Sequence, residues 1–265
     1  PYKLVNLKAY KQLKKIISDN SYKLIHCHTP MGSVLTRVAA KKARKNGTKV
    51  IYTAHGFHFF KGAPIKNWLL YYPVEKWLSR YTDCLITIND EDYQCAVKKN
   101  FKAGFIKKIN GVGIDLNKFT PQTEELKIKL REEYQFDKDD FILMYAAELN
   151  YNKHQDLLIN VVNLLKDKIP NIKLLLAGTG KLRKQYEEQI RAKNLQKYVK
   201  LLGLRKDIPK LLRLSDIVVA SSRREGLPVN VMEAMATGLP LVVTKTRGHI
   251  DLVKHGINGF VVGID

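Results

Sequence analysis

The chain has 265 residues, 45% hydrophobic and 27% charged, enough to bury one large core or two smaller ones and too apolar for a disordered segment. No run of 18 apolar residues occurs and Pro1-Tyr2-Lys3 lacks the pattern of a secretory leader, so no membrane span and no signal peptide are expected. The net charge of +21 is uneven: residues 1–120 hold 22 Lys and Arg against 7 Asp and Glu, leaving 24 against 18 for residues 121–265, which makes the first half a surface for polyanions.

Along the chain, short continuous apolar runs alternate with amphipathic stretches, the pattern of strand–helix–strand units that build parallel sheets in an α/β fold. A first helix, capped by Asn6, leads to a strand at Leu24–Cys27, after which Ser33 and its neighbours open a second helix behind Pro30. Strands follow at residues 50–54, 84–88 and 106–109; between the last two, Asn89-Asp90-Glu91-Asp92 places carboxylates in a first helical turn, where the helix dipole favours them. The alternation pauses at Asn110-Gly111-Val112-Gly113-Ile114-Asp115 and Pro121, which sets a domain junction between residues 1–120 and 121–265. A charged helix at Glu124–Glu133 precedes strands at Phe141–Ala146, Ile172–Ala177, Ile217–Ala220, Leu241–Thr244 and 260–262. Two Rossmann-like parallel-sheet domains facing a cleft are expected, with ligands at the C-terminal ends of the strands. Cys27, Cys84 and Cys95, odd in number and irregular in spacing, read as reduced thiols of a cytoplasmic protein.

The most informative stretch is residues 221–240, S-S-R-R-E-G-L-P-V-N-V-M-E-A-M-A-T-G-L-P, which follows a strand and enters a helix. Pro228 suits the first helical turn and Gly238 the stop. Glu225 then lies in the loop and Glu233 about a turn and a half into the helix. The free amides from Gly226 and Leu227 into the first turn can meet an anion such as a diphosphate, and Gly226 lets the backbone approach it closely. Spaced carboxylates beside a helix start are, taken alone, more often surface groups and caps.

With its flanks, this Glu-x7-Glu segment resembles the signature of retaining, nucleotide-sugar-dependent glycosyltransferases of the GT-B fold, family 4 or group 1. The resemblance implies that Glu225 contacts the donor sugar, and that Glu233 hydrogen-bonds the nucleotide ribose. The stretch from Ala147 to His154 stands where that family carries an Arg and a Lys for the donor diphosphate; Lys153 matches, while Glu148 replaces the Arg. Gly178 in Ala177-Gly178-Thr179-Gly180 resembles the strand-end turn, and Leu202 belongs to a segment resembling the support of the base. His26-Cys27-His28-Thr29-Pro30 and Tyr52-Thr53-Ala54-His55-Gly56-Phe57-His58 resemble enzymes of capsule and exopolysaccharide assembly, where His55 would lie near the donor sugar. His26 and His28 could share a strand face, yet no carboxylate or thiolate pair completes a metal site, and the resemblance implies an enzyme without metal or other cofactor.

The implied reaction moves a sugar from a nucleoside diphosphate, most simply UDP, to a lipid-linked or saccharide acceptor with the anomeric configuration kept. Lys153 and the helix start hold the leaving diphosphate while Glu225 and His55 position the sugar. The basic first half fits an anionic membrane surface, and so a peripheral place on the inner face of the cell membrane. Family members usually begin with a strand and a glycine-rich loop and end with further helices, so the resemblance also implies a chain lacking both ends. Two rivals remain: a nucleotide-sugar 2-epimerase or hydrolase of the same fold, and a basic nucleic-acid-binding module. The second lacks any aromatic-interleaved basic motif, helix-turn-helix or zinc pattern, so no nucleic-acid partner is expected.

Overall fold

The computed structural model describes residues 4–264 of the chain. In chain order the first elements are α1 (Leu4–Asp19), β1 (Leu24–Cys27), α2 (Pro30–Ala39), α3 (Lys41–Lys45), β2 (Lys49–Ala54), α4 (Ile65–Ser79), β3 (Cys84–Thr87), α5 (Asp90–Lys98) and β4 (Phe105–Lys108). They continue with α6 (Glu124–Glu133), β5 (Phe141–Ala146), α7 (Gln155–Leu165), β6 (Ile172–Ala177), α8 (Arg183–Ala192), β7 (Val199–Gly203), α9 (Ile208–Leu214), β8 (Ile217–Ala220), α10 (Val229–Ala236), β9 (Leu241–Thr244), α11 (Arg247–Leu252) and β10 (Gly259–Val262). Each apolar run expected as a strand is one, within a residue or so at its ends, as boundary fraying allows.

Three local readings change. Asn6 is not a cap: α1 starts at Leu4 and Asn6 lies inside its first turn. The second helix opens at Pro30, not near Ser33. Extended Thr29 caps it by accepting from the Gly32 amide at 3.2 Å, and Pro30 brings a helical φ to the first position. β7 is an added strand, where Val199-Lys200-Leu201-Leu202-Gly203 is too short and too interrupted by Lys200 to stand out from the flanking helical pattern.

The chain divides into two compact units, Pro1–Val112 and Gly113–Asp265. The division falls at 112/113 rather than 120/121 because residues 113–120 are bound into the second unit. Phe119 is buried in that unit's core, and the Arg213 guanidinium donates to the Lys118 carbonyl at 3.1 Å and to Thr120 Oγ1 at 2.6 Å.

The first unit carries a parallel sheet in the order β1-β2-β3-β4, with Cys27 beside Tyr52 and Ala54 beside Thr87. The second carries a parallel six-stranded sheet in the order β10-β9-β8-β5-β6-β7. Its core is built on β5 and β6, where Ile142, Met144, Ile172, Leu174, Leu175 and Leu176 are fully buried. Strands covered on both faces by helices must be apolar at successive positions, which is why these runs do not alternate. The strand order reverses between β5 and β8, where Leu143 pairs with Ile217, and this topological switch point is where doubly wound sheets bind ligands. No described helix is long and apolar enough to cross a membrane. Among the described residues Cys27, Cys84 and Cys95 form no disulfide.

Candidate active site

Two loops leave the switch point side by side, residues 147–154 after β5 and residues 221–228 after β8, and polar contacts lock them together. The Arg223 amide donates to the Asn152 carbonyl at 2.8 Å, and the Asn152 side-chain amide donates to the Arg224 carbonyl at 3.0 Å. Ser221 Oγ donates to the Lys153 carbonyl at 2.8 Å, and beneath them the buried Tyr145 hydroxyl meets Ser222 Oγ at 2.7 Å. A loop that satisfies its backbone in this way can hold side chains in fixed places. It holds Lys153 Nζ at 2.5 Å from Glu225 Oε1, both side chains mostly shielded from water. The shielding strengthens the pair and makes either charge costly to leave alone.

The helix start lies directly after this pair. Pro228 is the N-cap of α10 and offers no side-chain cap, so the first-turn amides of Val229 and Asn230 donate to no group among the described residues and lie at the positive end of the helix dipole, and the Gly226 and Leu227 amides of the loop just before them have no acceptor there either. Glu233 sits in the middle of α10, half-buried, where burial raises its pKa and the Lys118 ammonium opposes the rise. The turn is fixed from its far side by α11. The Arg247 Nε donates to the Glu225 carbonyl at 3.1 Å, and a Cβ on Gly248 would stand 2.6 Å from the Gly226 carbonyl oxygen. Only glycine at position 248 allows that approach.

Of the other expected residues, Gly178 directly follows β6 with φ +148, and a Cβ there would meet the Ala147 carbonyl oxygen at 2.0 Å. Its place is therefore behind the β5 loop. Leu202 lies in β7, partly buried against the core, on the far side of β6 from the locked loops. The Glu148 side chain is exposed while the next residue, Leu149, is fully buried.

Several neighbours do not stand out in the sequence. Arg223 stacks its guanidinium 4.5 Å from the exposed Tyr151 ring and reaches the His154 ring nitrogens at 2.9 and 3.0 Å. The backbone at His154 is left-handed, with φ 54. His249 is fully buried; its Nδ1 meets the Thr244 carbonyl at 2.7 Å and burial lowers its pKa, so Nδ1 carries the proton and Nε2 presents a lone pair with no partner among the described residues. The only sequence signals for this group are the unusual runs Ser222-Arg223-Arg224 and Thr246-Arg247-Gly248-His249 around the signature.

His55 belongs to the first unit, at the C-terminal end of β2. It is exposed, and its Nε2 lies 3.1 Å from His28 Nδ1 on the loop after β1. His26 Nε2 meets Thr53 Oγ1 at 2.8 Å, and the His58 ring packs against Tyr71 at 4.9 Å. Among the described residues no group of three or more His, Cys, Asp and Glu is arranged to hold a metal ion.

Comparison with known proteins fits this architecture. Residues 127–264 match the family Glycosyl transferases group 1, and residues 1–89 match Glycosyl transferase 4-like. A relative described as "Putative glycosyltransferase EpsD", from Bacillus subtilis (strain 168), is 50% identical over 264 residues, 100% of this chain and 69% of its own length. The UDP-Gal:alpha-D-GlcNAc-diphosphoundecaprenol alpha-1,3-galactosyltransferase of Escherichia coli is 28% identical, covering 98% of this chain and 67% of its own. Among solved structures, Anabaena Alr3699/HepE in complex with UDP and glucose superposes with a TM-score of 0.81 at 24% identity, over 99% of this chain and 70% of that one. Sucrose-phosphate synthase from Thermosynechococcus elongatus gives 0.78 at 20% identity, over 97% and 65%. At those identities the structures speak for the fold, which is GT-B. The chain belongs to the group 1 glycosyltransferase family and is a transferase with the two parallel-sheet α/β domains of that fold.

Proposed function

We propose that the chain transfers a sugar from a nucleoside diphosphate donor, UDP-linked, to a lipid-linked or saccharide acceptor during surface polysaccharide synthesis, with retention of anomeric configuration. The observation that carries this reading is the Lys153–Glu225 pair, held at 2.5 Å by two interlocked loops at the switch point beside the Gly226 and Leu227 amides. Breaking a glycosidic bond to a diphosphate develops negative charge on the leaving group and positive charge on the sugar. A cation with helix amides on one side and a carboxylate on the other is the matching preorganised field. On donor binding Lys153 turns from Glu225 to the diphosphate, and Glu225 is released to the sugar hydroxyls; Glu233 serves the ribose, and His55 serves the sugar. In this reading Lys153, the amides and the helix dipole do the neutralising that a metal would otherwise do, so none is required.

One relative supports the finer terms: the Escherichia coli enzyme's name gives a UDP-Gal donor and a diphosphoundecaprenol-linked acceptor. The membrane term is supported by the first unit. Its α4 exposes Ile65, Leu69 and Trp77 among Lys66, Lys76 and Arg80, an apolar row flanked by cations that suits the cytoplasmic face of an anionic bilayer.

The test is a transfer assay with UDP-sugars. K153A and E225Q are each expected to lower kcat/KM by about 100-fold, equivalent to about 2.7 kcal/mol of transition-state stabilisation. Chelator should leave the parent unaffected. Turnover within a few-fold of the parent in both variants would remove the pair from the chemistry, and release of an epimer or free sugar without acceptor would move the protein to the epimerase or hydrolase reading.

A further inference from the structure

His55 stands exposed at the end of β2, and an exposed imidazole on a strand tip is free to turn about two side-chain torsions. A group that positions a sugar has to be still. The structure supplies a chain of contacts that could still it, running from the buried sheet outward. Thr53, buried in β2, meets His26 Nε2 at 2.8 Å. The His26 ring lies on the His28 ring, with centroids 4.1 Å apart and planes tilted by 40°. His28 Nδ1 then meets His55 Nε2 at 3.1 Å. The parallel register of β1 and β2 brings both strand ends to one edge of the sheet, so the contacts follow from strand pairing.

We propose that His28 is a positioning residue for His55: it clamps the ring through the Nδ1···Nε2 hydrogen bond and ties the His55 tautomer to its own, with His26 and Thr53 as its anchor. This deepens the role given to His55 above and rests on that reading.

Proton counting gives the clamp its chemical content. Two neutral imidazoles joined by one hydrogen bond place a single proton between the facing nitrogens. If His28 Nδ1 donates, His55 Nε2 is the acceptor and His55 Nδ1 carries an outward N–H; if His55 donates, its Nδ1 is an outward lone pair. The bond permits only these two states, and they exchange the donor and acceptor roles of the outward atom. Burial, then His28, hold His55 below the ordinary histidine range; burial, then His28 and His55, do the same for His26. Among the described residues, the charged groups that act on His26 and His55 belong to these same three rings, at the end of β1, in the loop after it and at the end of β2.

The experiment pairs histidine NMR with kinetics on three forms of the protein. In the parent, long-range nitrogen–proton spectra of labelled histidines should show His55 in one dominant tautomer. H28A should mix its tautomers and move its titration upward as the like-charged neighbour is lost. In the UDP-sugar transfer assay H28A should lower kcat about 10- to 100-fold, the scale of a misplaced positioning group, with donor KM changed less than about twofold. H28N keeps a hydrogen-bonding atom close to the position of Nδ1 and should restore both the single tautomer and most of kcat. An H28A variant whose His55 tautomer and titration match the parent's overturns the proposal, as does one in which H28N and H28A are equally impaired. If the parent transfers no sugar from any UDP donor, the UDP-donor reading fails at that arm, while the spectra still decide whether His28 orders His55.

Discussion

At Gly178 one missing carbon atom decides where a loop runs. The residue has φ +148, and a Cβ would lie 2.0 Å from the Ala147 carbonyl oxygen; at Gly180 the corresponding distance to the Leu149 carbonyl is 2.2 Å. Both distances are far inside contact, and both carbonyls belong to the loop that presents Lys153. G178A is therefore expected to push that loop off the sheet and to lower stability by roughly 1–3 kcal/mol through a strained backbone and the clash together. Urea unfolding followed beside UDP binding checks this, and a variant matching the parent in both would mean that the loop relaxes freely. From sequence alone the Gly-Thr-Gly run is a weak turn signal. It acquires a reason only when Ala146 is seen beside Ala177 in the paired strands, because that register sets which carbonyl faces the glycine. Arg223 and Arg247 stayed illegible for a similar cause. Arginine in a polar run normally means a solvated surface, and nothing in the spacing says that one stacks on Tyr151 while the other grips the Glu225 carbonyl.

At the level of elements, α6 shows how a charged helix can be structural. The charged stretch Glu124–Glu133 was readable as a helix, and the helix spans the residues expected; the structure adds Thr123 as its cap, accepting from the Leu126 amide at 3.3 Å. Its function in the fold was not readable. Arg131, almost fully buried, donates to the Leu214 carbonyl at 3.0 Å, to the Lys138 carbonyl at 2.6 Å and to Asp216 at 2.7 Å. The same Asp216 carboxylate accepts from the Ile142 amide and from Lys127, each at 2.7 Å, so one ionic node joins α6 to the starts of β5 and β8. R131M should destabilise the second unit by about 3 kcal/mol, since it strands the buried Leu214 carbonyl and the part-buried Lys138 carbonyl and leaves Asp216 with one cation. Chemical denaturation monitored on that unit would show the loss, and a change below about 1 kcal/mol would mean that water takes over the vacated bonds. Strands were the easiest elements to read because burial on both faces demands unbroken apolar runs. Their order was not readable, because the residues of β5 are equally apolar whichever strand lies beside them. The signature glutamates stood out because Pro228 and Gly238 mark the helix they bracket.

For the whole molecule, charge separates the two halves of the sequence. Residues 1–120 carry a net +15, from 22 basic and 7 acidic residues, against +6 for the remainder. In the first unit Lys41 sits 4.7 Å from the Trp77 ring and 4.1 Å from that of Tyr81, beside the exposed apolar row of α4, so cations and an interfacial aromatic occupy one place. The protein is expected to co-sediment with vesicles containing anionic lipid, to release as salt rises, and to bind several-fold less after L69E, which puts a carboxylate on the apolar row. Equal sedimentation with neutral vesicles would overturn this expectation. The pairing of β5 with β8, by contrast, bears on how the enzyme comes into being. Leu143 waits for Ile217 across roughly seventy intervening residues, a long loop to close before any contact rewards it. Because the loops carrying Lys153 and Glu225 meet only where those two strands join, competence to take up a donor should arise late, near the last step of folding. A chain still emerging from the ribosome would have its first sheet and much of its second yet remain chemically silent.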